Sequence, residues 1–261
     1  MRRLFLLLTI AAMVLVVALP AAAITYGQPD RNRHPEVGGL VVTVDTGQRF
    51  AYCSGTLIAP RMFLTAAHCG GQDRVDVTFN SVVDEGSVLH RGTFHPNPAY
   101  PGRAGDIADI AVVVFDKPVT GISPARLPKA NQLSLMKADK RLNQRTRFTS
   151  VGYGSQEFVN APGGKQPTFP GPHDIRQFAA GSFNALNKNW LRLTQNPATG
   201  DAGTCYGDSG GPNFLGAGAT ETNIIAGLTV TGDRYCRSTN TTYRLDSASA
   251  RTFLRDFVAL P

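Results

Sequence analysis

From Ile24 onward the apolar residues of this chain fall in short alternating or continuous runs cut off by turn residues. Val41-Val42-Thr43-Val44, Val75-Asp76-Val77-Thr78-Phe79 and Ile110-Ala111-Val112-Val113-Val114-Phe115 read as strands. So do Phe148-Thr149-Ser150-Val151, Trp190-Leu191-Arg192-Leu193 and Ile224-Ile225-Ala226-Gly227-Leu228. Glycine (27) and proline (17) are frequent enough among 261 residues to punctuate many short elements. The strands do not alternate with long helical patterns, which argues against a parallel α/β sheet and for an all-β fold. One amphipathic helix is expected at the end, with Ser247 as its cap and Phe253, Leu254, Phe257 and Val258 at helical spacing. Residues 129–147 are polar and poor in strand signals and read as a connection between two halves. Residues 154–172, with several Gly and Pro, read as an exposed loop.

Ahead of this pattern stands a segment of another kind. Arg2 and Arg3 precede sixteen uncharged, mostly apolar residues, Leu4 to Leu19, and then Pro20-Ala21-Ala22-Ala23. A basic start, an apolar middle and small residues before a cut describe a secretory signal, residues 1–23, and hence a secreted protein. An uncleaved membrane anchor is the competing reading, because the uncharged run through Ile24 is long enough to span a bilayer. Cleavage after Ala23 removes two arginines and no acid, which leaves 24 cations against 19 acids, a net +5. These cations are scattered and form no dense run, so no nucleic-acid partner is expected. No membrane association is expected after cleavage either. Four cysteines in an exported chain, Cys53, Cys69, Cys205 and Cys236, imply two disulfides in one of three pairings. Neither a CxxC nor a paired-His spacing is present, so no metal site is expected.

Three short stretches carry chemistry. In Cys205-Tyr206-Gly207-Asp208-Ser209-Gly210-Gly211-Pro212 a serine sits among glycines that let the backbone turn and aim N–H groups at a developing negative charge. A serine hydroxyl needs such a site and a base to act as a nucleophile. A candidate base is His68 in Leu64-Thr65-Ala66-Ala67-His68-Cys69, downstream of Cys53-Ser54-Gly55-Thr56-Leu57-Ile58. Asp109 opens the run Asp109-Ile110-Ala111-Val112-Val113-Val114-Phe115, followed by Lys117-Pro118-Val119. Asp106, which also precedes Ile-Ala, competes with it, but the strand and proline spacing fit Asp109 better.

Together these stretches resemble the chymotrypsin/trypsin family of serine proteases, in the family's order of histidine, aspartate and serine, across residues 24–261. The resemblance implies two packed antiparallel β-barrels with the active site in the cleft between them and a C-terminal α-helix. It places His68 and Asp109 in an N-terminal barrel, residues 24–140, and Ser209 in a C-terminal barrel with the terminal helix, residues 141–261. By the same resemblance Ser209 is the nucleophile, His68 the general base and Asp109 its orienting partner. The N–H groups of Gly207 and Ser209 form the oxyanion hole, and the disulfides are Cys53–Cys69 and Cys205–Cys236. Ile24 matches the mature amino terminus, whose ammonium pairs with Asp208. With Ala23 directly before it, signal cleavage itself would create that terminus. The implied partners are protein or peptide substrates and protein protease inhibitors, and no cofactor is needed.

The resemblance is weakest at the specificity pocket, assigned to Gly203, Val230, Gly232 and Thr241. Gly203 stands where trypsin-like members carry an aspartate, and Asp201 lies two residues away. Val230 replaces a usual serine, which removes a hydrogen bond near Asp109 unless Thr229 supplies it. Thr241 replaces a glycine and should narrow the pocket. The expected preference is for small or medium uncharged residues at the cleaved position. Two other classes compete. A catalytically inert binding protein on the same fold usually lacks one of the three residues, and all are present here. A secreted α/β-hydrolase esterase would show a Gly-x-Ser-x-Gly elbow and the order Ser-Asp-His, neither of which is present. Asn240-Thr241-Thr242 fits a glycosylation acceptor.

Overall fold

The computed structural model describes residues 24–261 except 104, 156, 162–163 and 168–173, with backbone alone for the remainder of 156–173. The expected signal, residues 1–23, lies outside the described residues.

After the short β1 (Gln28–Pro29), six strands make the first barrel: β2 (Val37–Thr43), β3 (Arg49–Ala59), β4 (Met62–Thr65), β5 (Arg74–Thr78), β6 (His90–Pro96) and β7 (Ala111–Phe115). They close antiparallel in the order β2-β3-β4-β7-β6-β5. Leu40, Leu57, Phe63, Val77, Val113 and Phe115 fill the interior, each fully shielded from solvent. Helix α1 (Gln132–Ala138) follows, then β8 (Arg147–Gly152), a hairpin of β9 (Glu157–Ala161) and β10 (Gly164–Pro167), and β11 (Gln177–Leu186), β12 (Trp190–Thr194), β13 (Pro212–Leu215), β14 (Ile225–Gly232) and β15 (Thr239–Arg244). The order β11-β12-β15-β14-β13-β8 closes through pairing of β8 with β11, giving a second six-stranded antiparallel barrel. Along much of β11 buried and half-buried residues alternate, the period expected where one face of a strand lines a core.

The chain ends tie the barrels together. Segment β1 pairs with β11, so residues that precede the first barrel belong to the second sheet. Helix α2 (Ala248–Leu254) starts where the Ser247 hydroxyl accepts the Ala250 N–H, as its sequence foretells. It buries Phe253 and Leu254 in a core shared with Leu57, Ile58 and Ala125 of the first half. Phe257 and Val258 follow the helix on one further turn, their N–H groups bonded to Leu254 O.

Two differences from the sequence reading have physical causes. Residues 129–147 contain α1, a seven-residue helix with Leu133 as its buried anchor. Asn131 offers no side-chain cap; instead the Leu133 N–H donates to Asp246 Oδ2 at 2.8 Å, a partner 113 residues away. Residues 154–172, expected as a loop, contain the antiparallel β9–β10 pairing over their described part. The Asn240 side chain is buried and its Nδ2 donates to Asn213 Oδ1 at 2.9 Å. The acceptor sequence at Asn240 is therefore closed to glycosylation in the folded protein.

Candidate active site

His68 sits on a 3-10 turn (Ala67–Cys69) immediately after β4, and the Cys53–Cys69 disulfide fastens that turn to β3. Asp109 lies just ahead of β7, which pairs with β4, so the strand pairing brings the two residues side by side. The carboxylate holds the histidine twice. Oδ1 accepts the His68 main-chain N–H at 3.0 Å, and Oδ2 lies 2.7 Å from the ring Nδ1. Asp109 is fully buried and the His68 side chain is 18% exposed, so one end of the ring is fixed and the other reaches solvent. A carboxylate only accepts, so in the neutral ring this contact assigns the proton to Nδ1 and leaves Nε2 with its lone pair.

A third donor to Asp109 was not foreseen. The Gly105 N–H reaches Oδ2 at 2.9 Å. Val230 is buried and apolar, and Thr229 is engaged elsewhere, its Oγ1 accepting from Asn213 Nδ2 at 3.0 Å. A main-chain group thus donates to the carboxylate, and no sequence pattern announces it. Asp106 does not face His68; its main-chain oxygen accepts the Asp109 N–H at 3.3 Å.

Ser209 enters from the second barrel on the loop just ahead of β13, which the Cys205–Cys236 disulfide ties to the segment after β14. Gly207 (φ +95°) and Gly210 (φ +80°) occupy the left-handed region that a side chain would resist, which makes the tight turn possible. The Ser54 N–H of β3 bonds the Ser209 carbonyl at 2.8 Å, so the first barrel grips the loop directly. His68 and Ser209 line one cleft of about 420 Å³, together with Thr204, Tyr206, Val230, Gly232 and Asp233. Ser209 Oγ makes no hydrogen bond among the described residues; contacts of this kind often tighten only around a substrate.

Asp208, fully buried, turns away from the cleft. Its oxygens accept N–H groups of Gly154 and Cys205, both at 2.8 Å. Burial pushes its carboxyl up to about 7, and those two N–H groups offset part of the rise. Ile24 is also fully buried, and the next residue is bridged to the same region: Thr25 Oγ1 donates to Gly203 O at 3.0 Å and to Cys236 O at 2.9 Å.

Of the pocket residues expected from sequence, Val230 and Gly232 line the cleft. Gly203 is buried and outside the lining, and Thr241, which lies opposite Thr231 in the β14–β15 ladder, is outside it too. Asp201 is occupied by Ser182, Thr199 and, at 3.4 Å, Arg147. Among the described residues, the group of possible metal donors is Cys53, His68 and Cys69, and its two sulfurs are joined to each other.

Two closed antiparallel barrels with a histidine and a serine meeting in one cleft define a serine endopeptidase of the two-barrel class. The chain belongs to the trypsin family, whose model matches residues 30–249. Over 226 residues it is 28% identical to a trypsin of Saccharopolyspora erythraea, covering 81% of this chain and 88% of that protein. As a protease of this family it acts on protein or peptide substrates. Among the described residues no helix is long and apolar enough to cross a membrane.

Proposed function

We propose that this protein is a secreted serine endopeptidase that cleaves peptide bonds through Ser209, His68 and Asp109 and an acyl-enzyme. The observation that carries the reading is the double clamp of Asp109 on His68 in the cleft that Ser209 also lines. The free Nε2 takes the Ser209 proton as Oγ attacks the carbonyl carbon, then returns it to the leaving amine; water repeats the sequence on the acyl-enzyme. Asp109 keeps the tautomer and stabilises the imidazolium. The Gly207 and Ser209 N–H groups, without an acceptor among the described residues, receive the oxyanion.

Val230 and Gly232, which line the cleft, shape a pocket for small or medium uncharged residues, and cleavage after Lys or Arg is weaker because no free carboxylate waits at Gly203. Removal of residues 1–23 during export frees the Ile24 ammonium, which pairs with Asp208 and organises the oxyanion loop. Protein protease inhibitors that dock in the same cleft are the expected regulators.

Ser209→Ala and His68→Ala should each lower kcat/KM on peptides by several orders of magnitude with the fold retained, and Asp109→Asn by on the order of 10⁴. A fluorophosphonate should label Ser209 in the unaltered enzyme. If Asp106→Asn is the crippling change and Asp109→Asn is mild, the assignment of the aspartate is wrong.

A further inference from the structure

Gln195 directly follows β12 and is almost wholly buried. Its main-chain N–H donates to Ser238 O at 3.0 Å, and its Nε2 lies 3.4 Å from Asp233 Oδ1. A carboxylate accepts and never donates, so the amide nitrogen must be the end that faces Asp233. The other end, Oε1, is buried with no hydrogen-bond donor among the described residues. Buried carbonyl oxygens are rarely left unmet, because they give up water and gain nothing in return.

The position of this oxygen gives it meaning. A Cβ placed on Gly203 would fall 2.6 Å from Gln195 Cβ and closer still to Oε1. Gln195 therefore fills the volume that any side chain at 203 would need. Thr204, the next residue, lines the cleft, and so does Asp233, the partner of Gln195 Nε2. Gln195 itself does not line the cleft, so the unmet oxygen stands one layer behind its wall and a substrate side chain reaches it only where that wall gives way.

We infer that Gln195 determines specificity at the inner end of this cleft, its Oε1 accepting a hydrogen bond from a carboxamide side chain, Gln or Asn, at the cleaved position. This rests on the reading of the cleft as the proteolytic site and narrows its uncharged preference to one chemical class. A carboxamide offers the missing N–H without bringing a charge. A Lys or Arg side chain would find the Asp233 carboxylate already engaged by the main-chain N–H groups of Arg237, Ser238 and Thr239. It would also pass Arg234, an exposed cation lining the same cleft. An acidic side chain would meet Oε1 and Asp233 with acceptors only. Leu or Met would fill the space and leave Oε1 unpaired.

The test compares peptides that differ only at the cleaved position: Gln, its apolar near-isostere Met, Asn, Leu and Lys. The unaltered enzyme should favour Gln over Met by at least about tenfold in kcat/KM, since sites built around a hydrogen bond reject analogues that lack it. Gln195→Met should level Gln with Met. Gln195→Glu, nearly identical in volume, should instead turn the preference towards Lys by about tenfold or more. Equal rates on Gln and Met, dominance of Lys, or a Gln preference that survives in Gln195→Met would each overturn the assignment. Fluorophosphonate labelling of Ser209 separates the two levels. Labelling without a carboxamide preference removes only the role of Gln195, whereas no labelling removes the proteolytic reading with it.

Discussion

Asp208 and Asp30 are both buried carboxylates, and their surroundings treat the charge in opposite ways. Asp208, beside Ser209, has two main-chain N–H donors and no cation among the described residues, and its carboxyl is pushed up to about 7. Asp30 has the Arg176 guanidinium at 2.8 Å and His34 Nδ1 at 2.5 Å, and although burial alone would raise it, these partners hold it below the usual carboxylate range. His34 in turn places Nε2 2.8 Å from Glu221. Burial alone would lower the imidazole, but the two carboxylates raise it to about 9. Arg176 also donates to Val37 O, Phe79 O and Asn32 Oδ1, so a single side chain joins the amino-terminal segment to the first barrel. The closed network is structural cement. Asp208 is left short of a cation among the described residues, and it adjoins Ser209, the proposed nucleophile.

That contrast can be broken most sharply at Asp208. A preparation beginning at Ile24 should hydrolyse peptides, and one with a single extra residue before Ile24 should be at least about a hundredfold slower until trimmed, because an amide nitrogen brings no charge to the buried carboxylate. Equal activity, with the extension confirmed by mass spectrometry, would remove the ammonium from the mechanism.

In the closed network the effect falls on stability. Arg176→Met leaves Asp30 and its neighbours without their central cation and should cost about 3–5 kcal/mol, the range for breaking one side of a buried ion pair. Urea unfolding measures it, and a loss under 1 kcal/mol would show that water replaces the guanidinium.

The smallest expected effect is a pH slope. The folded His34 value lies above the unfolded one, so its stabilisation is fully present below about 6.5 and fades as pH rises through about 9. His34→Gln should flatten the unfolding free energy across that window. Asp208 works in the same sense, at lower pH, in a chain extended before Ile24. Its raised value means that the folded state holds a proton longer, so stability falls as pH rises from about 4 to about 7.

Much of the fold was legible because strand signals are local. Each of the six apolar runs singled out lies in or overlaps a strand, and the Ser247 cap is where the sequence puts it. Helix α1 was hidden because its anchor, Leu133, and its partner, Asp246, meet only after folding. His68, Asp109 and Ser209 could be named from their motifs, and both disulfides pair as the resemblance implied. The Gly105 N–H on Asp109 could not be read, because every residue but proline carries the same main-chain donor and only backbone geometry aims it.

The sequence by itself determined the strand pattern and the glycine-rich loop around Ser209, since periodicity and short motifs act over a few residues. Tertiary structure alone decided which charges are satisfied. Arg176 meets Asp30 across 146 positions and Gly154 meets Asp208 across 54, and Gln195, just past β12, fills the space beside Gly203. Such contacts depend on how two closed barrels lay distant backbone side by side, and burial then fixes whether a carboxylate or a carbonyl oxygen has a partner or waits for one.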